Sequence, residues 1–265
     1  EYAGITADIT IPDAINSALD AHARMVKTQL PLTYALSHTL TTITPEEIDW
    51  MVQRTTQRIT THTLRLPAEI ETKLKHALIR GTATGVNPEE TARQLLKQVG
   101  DAFKGGLPRA TMIARTETHD AQRHATQQWE SRNTDILEGW VWVAALDKRT
   151  CAACIAMHGT THPTTEPGPN DHHRGRCTRV PKTKPWAQLG INQTDTAPKI
   201  QTGEEWYRSL TPQAQADILG AQRAHLINTG QIPFTALAQR TTNPGWRETI
   251  TQRPLRDLKQ KAKNA

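Results

Sequence analysis

Residues 151–177 read CAACIAMHGTTHPTTEPGPNDHHRGRC and contain all three cysteines of the 265-residue chain. Two residues separate Cys151 from Cys154, so both thiols can face one ion from the start of a single helical turn. A later histidine together with Cys177 can complete a tetrahedron around Zn²⁺. Three clustered cysteines are an odd number for a disulfide framework, which favours reduced thiols. The stretch therefore predicts a structural zinc site that staples a small module.

The histidines of this stretch are the candidates for the remaining ligand. His172 and His173 come shortly before the last cysteine. His158 and His162 are spare candidates, which we expect to lie in a loop or strand without binding a metal. Four protein ligands would close the coordination sphere and leave no position for water. We therefore expect a structural metal that contributes on the order of 10 kcal/mol to folding of its module, and no catalytic residue.

The flanks of the cysteine-rich stretch predict a small α+β module. Residues 139–143 are Gly-Trp-Val-Trp-Val, an aromatic and β-branched run that is typical of a strand. Thr150 can cap a short helix that begins at Cys151, and the positive end of this helix would favour thiolates. Two more short strands are expected at residues 159–162 and 176–180, on either side of a Pro- and Gly-rich loop.

Residues 1–106 predict a helical arm. Its helices are expected to open at Pro12, Pro45, Pro67 and Pro88, because proline is well suited to the first turn of a helix. Each helix carries only a narrow apolar face. Such faces suit a bundle or long hairpins that pack on another subunit, although an ordinary helical domain remains an equal alternative.

A long helix is predicted from Pro108 to about Arg132, with small and polar residues on one stripe. Within it, Arg115-Thr116-Glu117 brings a cation and a carboxylate close together. A structural ion pair or a capping contact explains this pair better than catalysis does.

Residues 186–265 predict a helical C-terminal extension. Thr211-Pro212 begins one helix, and Phe234 begins another. The basic, polar residues 253–263 are expected to form a solvated or partner-bound end. The predicted fold class is α+β and mainly α: a helical arm, a zinc-stapled module with short antiparallel strands, and a helical tail.

Charge and hydropathy limit the partners of the chain. The formal charge is +6 and is spread along the sequence, which favours polyanions such as nucleic acid without implying that a base sequence is read. No apolar stretch approaches the roughly 20 residues that a membrane-spanning helix needs, so we expect a soluble protein with no membrane partner.

Several short motifs follow one another along the middle of the chain: Arg115-Thr116-Glu117, Trp142, Asp147, Arg149-Thr150-Cys151, Cys154, His158-Gly159, and His172 with Cys177. Their order resembles the head-morphogenesis domain of tailed phages, the Mu F-like minor head protein family, over roughly residues 107–185. That family usually closes this motif with His-Pro-Asn-Cys-Arg-Cys. Residues 172–177 are His-His-Arg-Gly-Arg-Cys, so Gly175 stands in place of the inner cysteine.

The resemblance implies both a ligand set and a role. The implied metal ligands are Cys151, Cys154, His172 and Cys177, with His173 as the alternative to its neighbour. The implied protein is a non-enzymatic minor capsid protein that joins the procapsid at or near the portal vertex. Its partners would be the portal protein or the major capsid protein, with non-specific contact to packaged DNA. It would act in head assembly, DNA packaging or DNA delivery, first in the host cytoplasm and then in the virion.

Two other functions fit part of the sequence. Asp171-His172-His173 beside a zinc site faintly resembles the metal site of HNH endonucleases, where a histidine activates water, but no second metal-binding or basic group stands at diagnostic spacing. A zinc-stapled nucleic-acid-binding module would suit the charge, yet no helix dense in arginine is present. The chain also lacks a Gly-rich phosphate loop, a nucleophile elbow and an HExxH motif.

Overall fold

The computed structural model describes residues 11–44, 87–99, 106–172, 175–242 and 248–264. Its elements in chain order are α1 (Ile11–Thr28), α2 (Leu32–Ser37), α3 (Pro88–Val99), α4 (Gly106–Arg132), β1 (Leu137–Val143), α5 (Ala152–Met157), β2 (Thr161–Pro163), β3 (Thr178–Thr183), α6 (Gly203–Ser209), α7 (Pro212–Leu219), α8 (Ala221–Asn228), β4 (Ala238–Thr241), β5 (Thr249–Gln252) and α9 (Leu255–Lys263). Short 3₁₀ turns lie at Trp186–Leu189 and Phe234–Leu237.

The chain forms two compact units. Of the described residues, the first unit contains 11–24, 39–44, 87–99 and 106–133, and the second contains 25–38, 134–172, 175–242 and 248–264. The predicted division into an arm (1–106), a module (107–185) and an extension (186–265) stays a prediction.

In its described ranges the first unit is helical, and the longest helix there is α4. The predicted helix that ends near Arg132 is confirmed, and it begins two residues before Pro108. Helix α3 packs against α4, and its start is capped by the Asn87 side chain, which accepts the Glu89 N–H at 2.9 Å. The helices expected to open at Pro45 and Pro67 lie outside the described residues.

Small residues let the helices of this unit approach closely. The buried positions of α3 and α4 include Ala92, Ala110, Ala114 and Ala125, as expected where backbones come near one another. Trp129 is a large buried side chain of this unit, and His22 of α1 meets its ring edge-on with centroids 6.2 Å apart.

The second unit is built on a three-stranded antiparallel sheet in which β1 lies between β2 and β3. The predicted strand at residues 139–143 is confirmed. The two flanking strands begin about two residues later than predicted. Strand β2 ends on Pro163, and β3 continues through Pro181. Proline is tolerated on an edge strand, where its missing N–H breaks no ladder bond.

The free edge of β3 is covered by a side chain from the segment after α1. Gln29 Nε2 donates to the Pro181 carbonyl at 2.8 Å, and Gln29 Oε1 accepts the Thr183 N–H at 3.0 Å. A side-chain amide here replaces a fourth strand, and so satisfies edge groups that would otherwise invite pairing with another chain.

The C-terminal part of the second unit forms its main apolar core. The core buries one face of α5 against residues from α6 to α9: Ala152, Ile155, Ala156, Tyr207, Leu219, Leu226, Ile227, Ile232, Phe234, Leu237 and Leu258. Helix α7 begins at Pro212 as predicted, with the Thr211 hydroxyl as its cap.

Two expectations for the C-terminal part are corrected. The helix expected from Phe234 is a single 3₁₀ turn followed by the hairpin β4–β5, which the sequence did not predict. The segment 253–263 is not merely a solvated end, because it forms α9 with Leu258 fully buried. One apolar residue per helical turn is enough to dock a short basic helix on a core.

The predicted fold class is confirmed: the chain is α+β, helices predominate, and the sheets are small and antiparallel. Among helices in the described ranges, none combines the length and the apolar character needed to cross a bilayer.

Candidate metal centre

The two cysteines of the Cys-x-x-Cys pair lie at the start of α5. Cys151 is the residue before the helix, and its Sγ accepts the Cys154 N–H at 3.4 Å. The predicted cap, Thr150, does not serve this helix, because its hydroxyl donates to Asp147 Oδ1 at 3.0 Å in the preceding turn. The first thiol is therefore itself the cap of the helix, and both sulfurs lie at its positive end.

Three predicted ligands come together in the structure. The Sγ atoms of Cys151 and Cys154 and a ring nitrogen of His172 all lie within 4.8 Å of one another. Zinc binds sulfur at about 2.3 Å and imidazole nitrogen at about 2.0 Å, so donors this close can surround one ion. Cys154 is buried, whereas Cys151 and His172 are half-buried, and such shielding is usual for a structural site.

The fourth predicted ligand lies beside this cluster. Cys177 is buried in the same apolar group as Cys154, Trp140, Trp142 and Ala144, and its thiol contributes to raising the pKa of Cys154. It does not belong to the group of donors that all lie within 4.8 Å. His173, the alternative ligand, lies outside the described residues, and the complete four-ligand set stays a prediction.

The pKa values of the Cys151 and Cys154 thiols are shifted in opposite directions. Hydrogen bonds from the Cys154 thiol and from His172 lower the pKa of Cys151 to about 4. The pKa of Cys154 is raised, because its thiol interacts with those of Cys151 and Cys177 and because it is buried. Cys151 therefore loses its proton more readily than Cys154, and binding of a metal by both sulfurs would release the Cys154 proton.

The two spare histidines have structural contacts of their own. His158 Nδ1 accepts the Ala144 N–H at 2.9 Å, and burial lowers the pKa of this histidine. His162 is stacked on Trp140, and its Nδ1 lies 3.2 Å from Glu166 Oε2. Each ring therefore links the central strand to the chain around it.

Two side chains that support the cysteine-bearing helix were missed from the sequence. Arg176 forms two parallel hydrogen bonds to the Asp147 carboxylate, at 2.6 and 2.8 Å, which join the turn before Cys151 to the residue before Cys177. Gln252 at the end of β5 accepts the Ala152 N–H at 3.1 Å. Asp147 stands within the recognised motif, but no local pattern pairs these residues, since each contact spans many positions.

The motif Arg115-Thr116-Glu117 lies on α4 in the first unit, whereas the cysteines lie in the second. Thr116 is buried and its hydroxyl donates to the Met112 carbonyl at 2.8 Å, while Arg115 is exposed. The side chain of Glu117 is not among those that the structure describes. The predicted ion pair with Arg115 therefore stays a prediction.

Fold and site together define an α+β protein with a thiol and imidazole cluster suited to a structural metal. Residues 71–186 match the family described as Phage Mu protein F like protein. This match confirms the resemblance, seen in the sequence, of the middle of the chain to the Mu F-like family of phage head-morphogenesis proteins. The matched region includes the three-stranded sheet, α5 and all the predicted ligands. Neither a curated protein nor a solved structure matches the chain.

Proposed function

We propose that this chain is a structural minor capsid protein of a tailed phage, which joins the procapsid at or near the portal vertex and acts in head assembly, DNA packaging or DNA delivery. The family match over residues 71–186 carries this proposal. It assembles in the host cytoplasm and is part of the virion thereafter. Its partners are the portal protein or the major capsid protein, and the charge of +6 suits non-specific contact with packaged DNA.

The second part of the proposal is a structural zinc ion held by Cys151, Cys154, His172 and Cys177. Thiolate and imidazole donors are the ligands that zinc prefers in closed sites. The clustering of the first three donors and the burial of Cys177 in the same apolar group as Cys154 support it. When bound, the ion supplies a cross-link. The start of α5 holds both cysteines of the pair in place for it.

The metal cross-link acts on the shape of the module. It ties the loop between β2 and β3 to α5, whose opposite face is buried in the core with α6 to α9. We infer that function lies in the surfaces that this arrangement presents, and that the chain is not an enzyme, since four protein ligands leave no position for a reacting water.

Co-purification tests the assembly role. The tagged chain, produced together with the portal protein of the same phage, is expected to retain that portal protein at physiological salt. A His172→Ala variant should lose the interaction if the staple shapes the docking surface, and His225→Ala, which alters an exposed histidine on α8, serves as its matched control. If the wild type binds neither portal nor capsid protein, the proposed role is wrong.

A plasmid assay separates this role from catalysis and from simple DNA binding. Supercoiled plasmid incubated with the chain and Mg²⁺ or Mn²⁺ should stay intact. Cleavage that His172→Ala or His173→Ala abolishes would establish the HNH-like nuclease instead. Steeply salt-dependent binding to nucleic acid, without binding to portal or capsid protein, would establish the nucleic-acid-binding module.

A further inference from the structure

The loop that carries His172 and Cys177 is organised around a buried carboxylate. Asp171 is only 1% exposed, and its Oδ2 accepts the Cys177 N–H at 3.2 Å. A buried carboxylate is costly unless hydrogen-bond donors surround it. This one accepts a bond from the backbone of a predicted ligand, and it is itself adjacent in sequence to another.

Gly175 provides the space that this carboxylate occupies. A Cβ atom built on Gly175 would overlap the Asp171 carboxylate, including both of its oxygens. The backbone of Gly175 is outside the left-handed region, so alanine would be acceptable there on conformational grounds alone. The glycine is therefore required by the position of the carboxylate and not by the turn.

The same loop is closed by a backbone bond. The Gly175 N–H donates to the His172 carbonyl at 2.9 Å, which holds Gly175 close to the first of the two closing ligands. With the bond from Cys177, the carboxylate and the glycine fix the backbone at both closing ligands. Groups that hold the backbone or side chain of a metal ligand in this way tune affinity without touching the ion.

We propose that Asp171 is a positioning residue of the metal centre, and that Gly175 is its necessary partner because no larger residue leaves room for the carboxylate. The inference rests on the proposed metal site. Asp171 would act on the metal through the backbone of Cys177 and through its neighbour His172, without being one of the ligands.

Cobalt titration of the full chain tests this role, since thiolate-bound Co²⁺ has a strong near-ultraviolet band that reports how many sulfurs bind. Asp171→Ala and Gly175→Ala should each weaken Co²⁺ and Zn²⁺ binding about 10- to 100-fold, as is usual when a supporting group is lost. Asp171→Asn keeps a hydrogen-bond acceptor of the same shape, so its loss should be smaller. Gly190→Ala, at a glycine with nothing within 4 Å of an added Cβ, should bind as the wild type does.

The double variant Asp171→Ala/Gly175→Ala is the decisive member of the series. The added methyl group no longer meets a carboxylate, so metal affinity should fall no further than in Asp171→Ala alone. Losses that multiply in the double variant, or a Gly175→Ala protein that binds metal normally, would overturn the inference. It would also be overturned if Cys177→Ser left the sulfur band unchanged while Asp171→Asn abolished tight binding, because the carboxylate would then be a ligand in place of that cysteine.

Failure of the metal site itself has a different signature. A wild-type chain that is folded and reduced but binds neither Co²⁺ nor Zn²⁺ would refute the proposed centre, and with it the positioning role. A wild-type chain that binds metal, with a Gly175→Ala variant that is indistinguishable from it, would refute the positioning role alone.

Discussion

The imidazole of His162 lies nearly parallel to the indole of Trp140, with ring centroids 4.3 Å apart. The Arg179 guanidinium lies 4.5 Å from the centroid of the same indole, and the indole N–H donates to the Glu166 carbonyl at 3.2 Å. Trp140 therefore joins all three strands of the sheet to the loop that leads to the metal ligands. Its neighbour Trp142 is equally buried, but its N–H has no hydrogen-bond partner in the part of the chain that the structure describes.

This difference predicts unequal effects of the same substitution. Trp140→Phe should reduce the free energy of unfolding by about 1–3 kcal/mol more than Trp142→Phe does, because it breaks a hydrogen bond and weakens a cation–π contact. Both changes remove a similar volume from the core, so Trp142→Phe is the matched control. Urea denaturation of the two variants measures the difference, and equal losses would contradict this reading of the sheet.

Gly203 is predicted to be irreplaceable at the start of α6. Its N–H donates to the His158 carbonyl at 2.9 Å, and an added Cβ would overlap the Ile155 carbonyl oxygen at the end of α5. Alanine normally favours a helix, yet Gly203→Ala should destabilise the protein by about 1–3 kcal/mol through overpacking.

The control for this variant is Gly190→Ala. Gly190 has φ of +72° and open space around its Cα, so the change reports backbone strain without a clash, on the order of 1 kcal/mol. Thermal unfolding compares the two. If Gly203→Ala is as stable as the wild type, the close approach of α6 to α5 is wrong.

The pair of Asp147 and Arg176 predicts a pH-dependent contribution to stability. The Arg176 hydrogen bonds hold the pKa of Asp147 well below its ordinary value of 3.8. Because the folded pKa is depressed, the contribution is fully present above the unfolded pKa. It is lost progressively as the pH falls from the unfolded pKa through the folded pKa. The effect is small, since both side chains are partly exposed and water screens them.

The melting temperatures of wild type and Asp147→Asn, measured over a range of pH, test this. The difference should stay constant from about pH 7 to pH 5 and shrink below about pH 4. Arg176→Gln should reproduce the same profile, and added salt should reduce it in both. A difference that grows as the pH falls would contradict the pairing.

Chelation should lower stability only where the ligands are intact. Zinc-loaded wild type should lose at least about 5 °C in melting temperature when a chelator is added, because a tightly bound ion stabilises the folded state. Cys154→Ser should melt at one temperature with or without chelator, and His225→Ala should respond as the wild type does. A wild-type transition that is insensitive to chelator would argue that the thiols hold no metal.

The parts of the fold that the sequence predicted correctly depend on local patterns. The aromatic run at residues 139–143 has the composition of a strand, and the helix that ends near Arg132 has helical spacing over many turns. The Cys-x-x-Cys pair similarly fixes two donors within one turn, and the structure adds His172 to them.

The parts that could not be predicted depend on contacts between distant positions. The sequence around Arg240 and Ile250 contains no local pattern that predicts a hairpin. Strands β4 and β5 are stabilised by their pairing with each other. Threonine is a good helix-capping residue, but the Thr150 hydroxyl donates its hydrogen bond to Asp147 instead. Gly175 could be seen to replace the inner cysteine of the family pattern, whereas only the structure shows that the Asp171 carboxylate occupies the space beside it.

Elemental analysis of the native chain, purified under reducing conditions without added metal or chelator, bears most directly on the metal-stapled module. We expect about one zinc per chain, retained through gel filtration. The Cys154→Ser variant, which lacks one ligand, should not retain zinc. A folded chain with three reduced thiols and no stoichiometric metal would contradict the account.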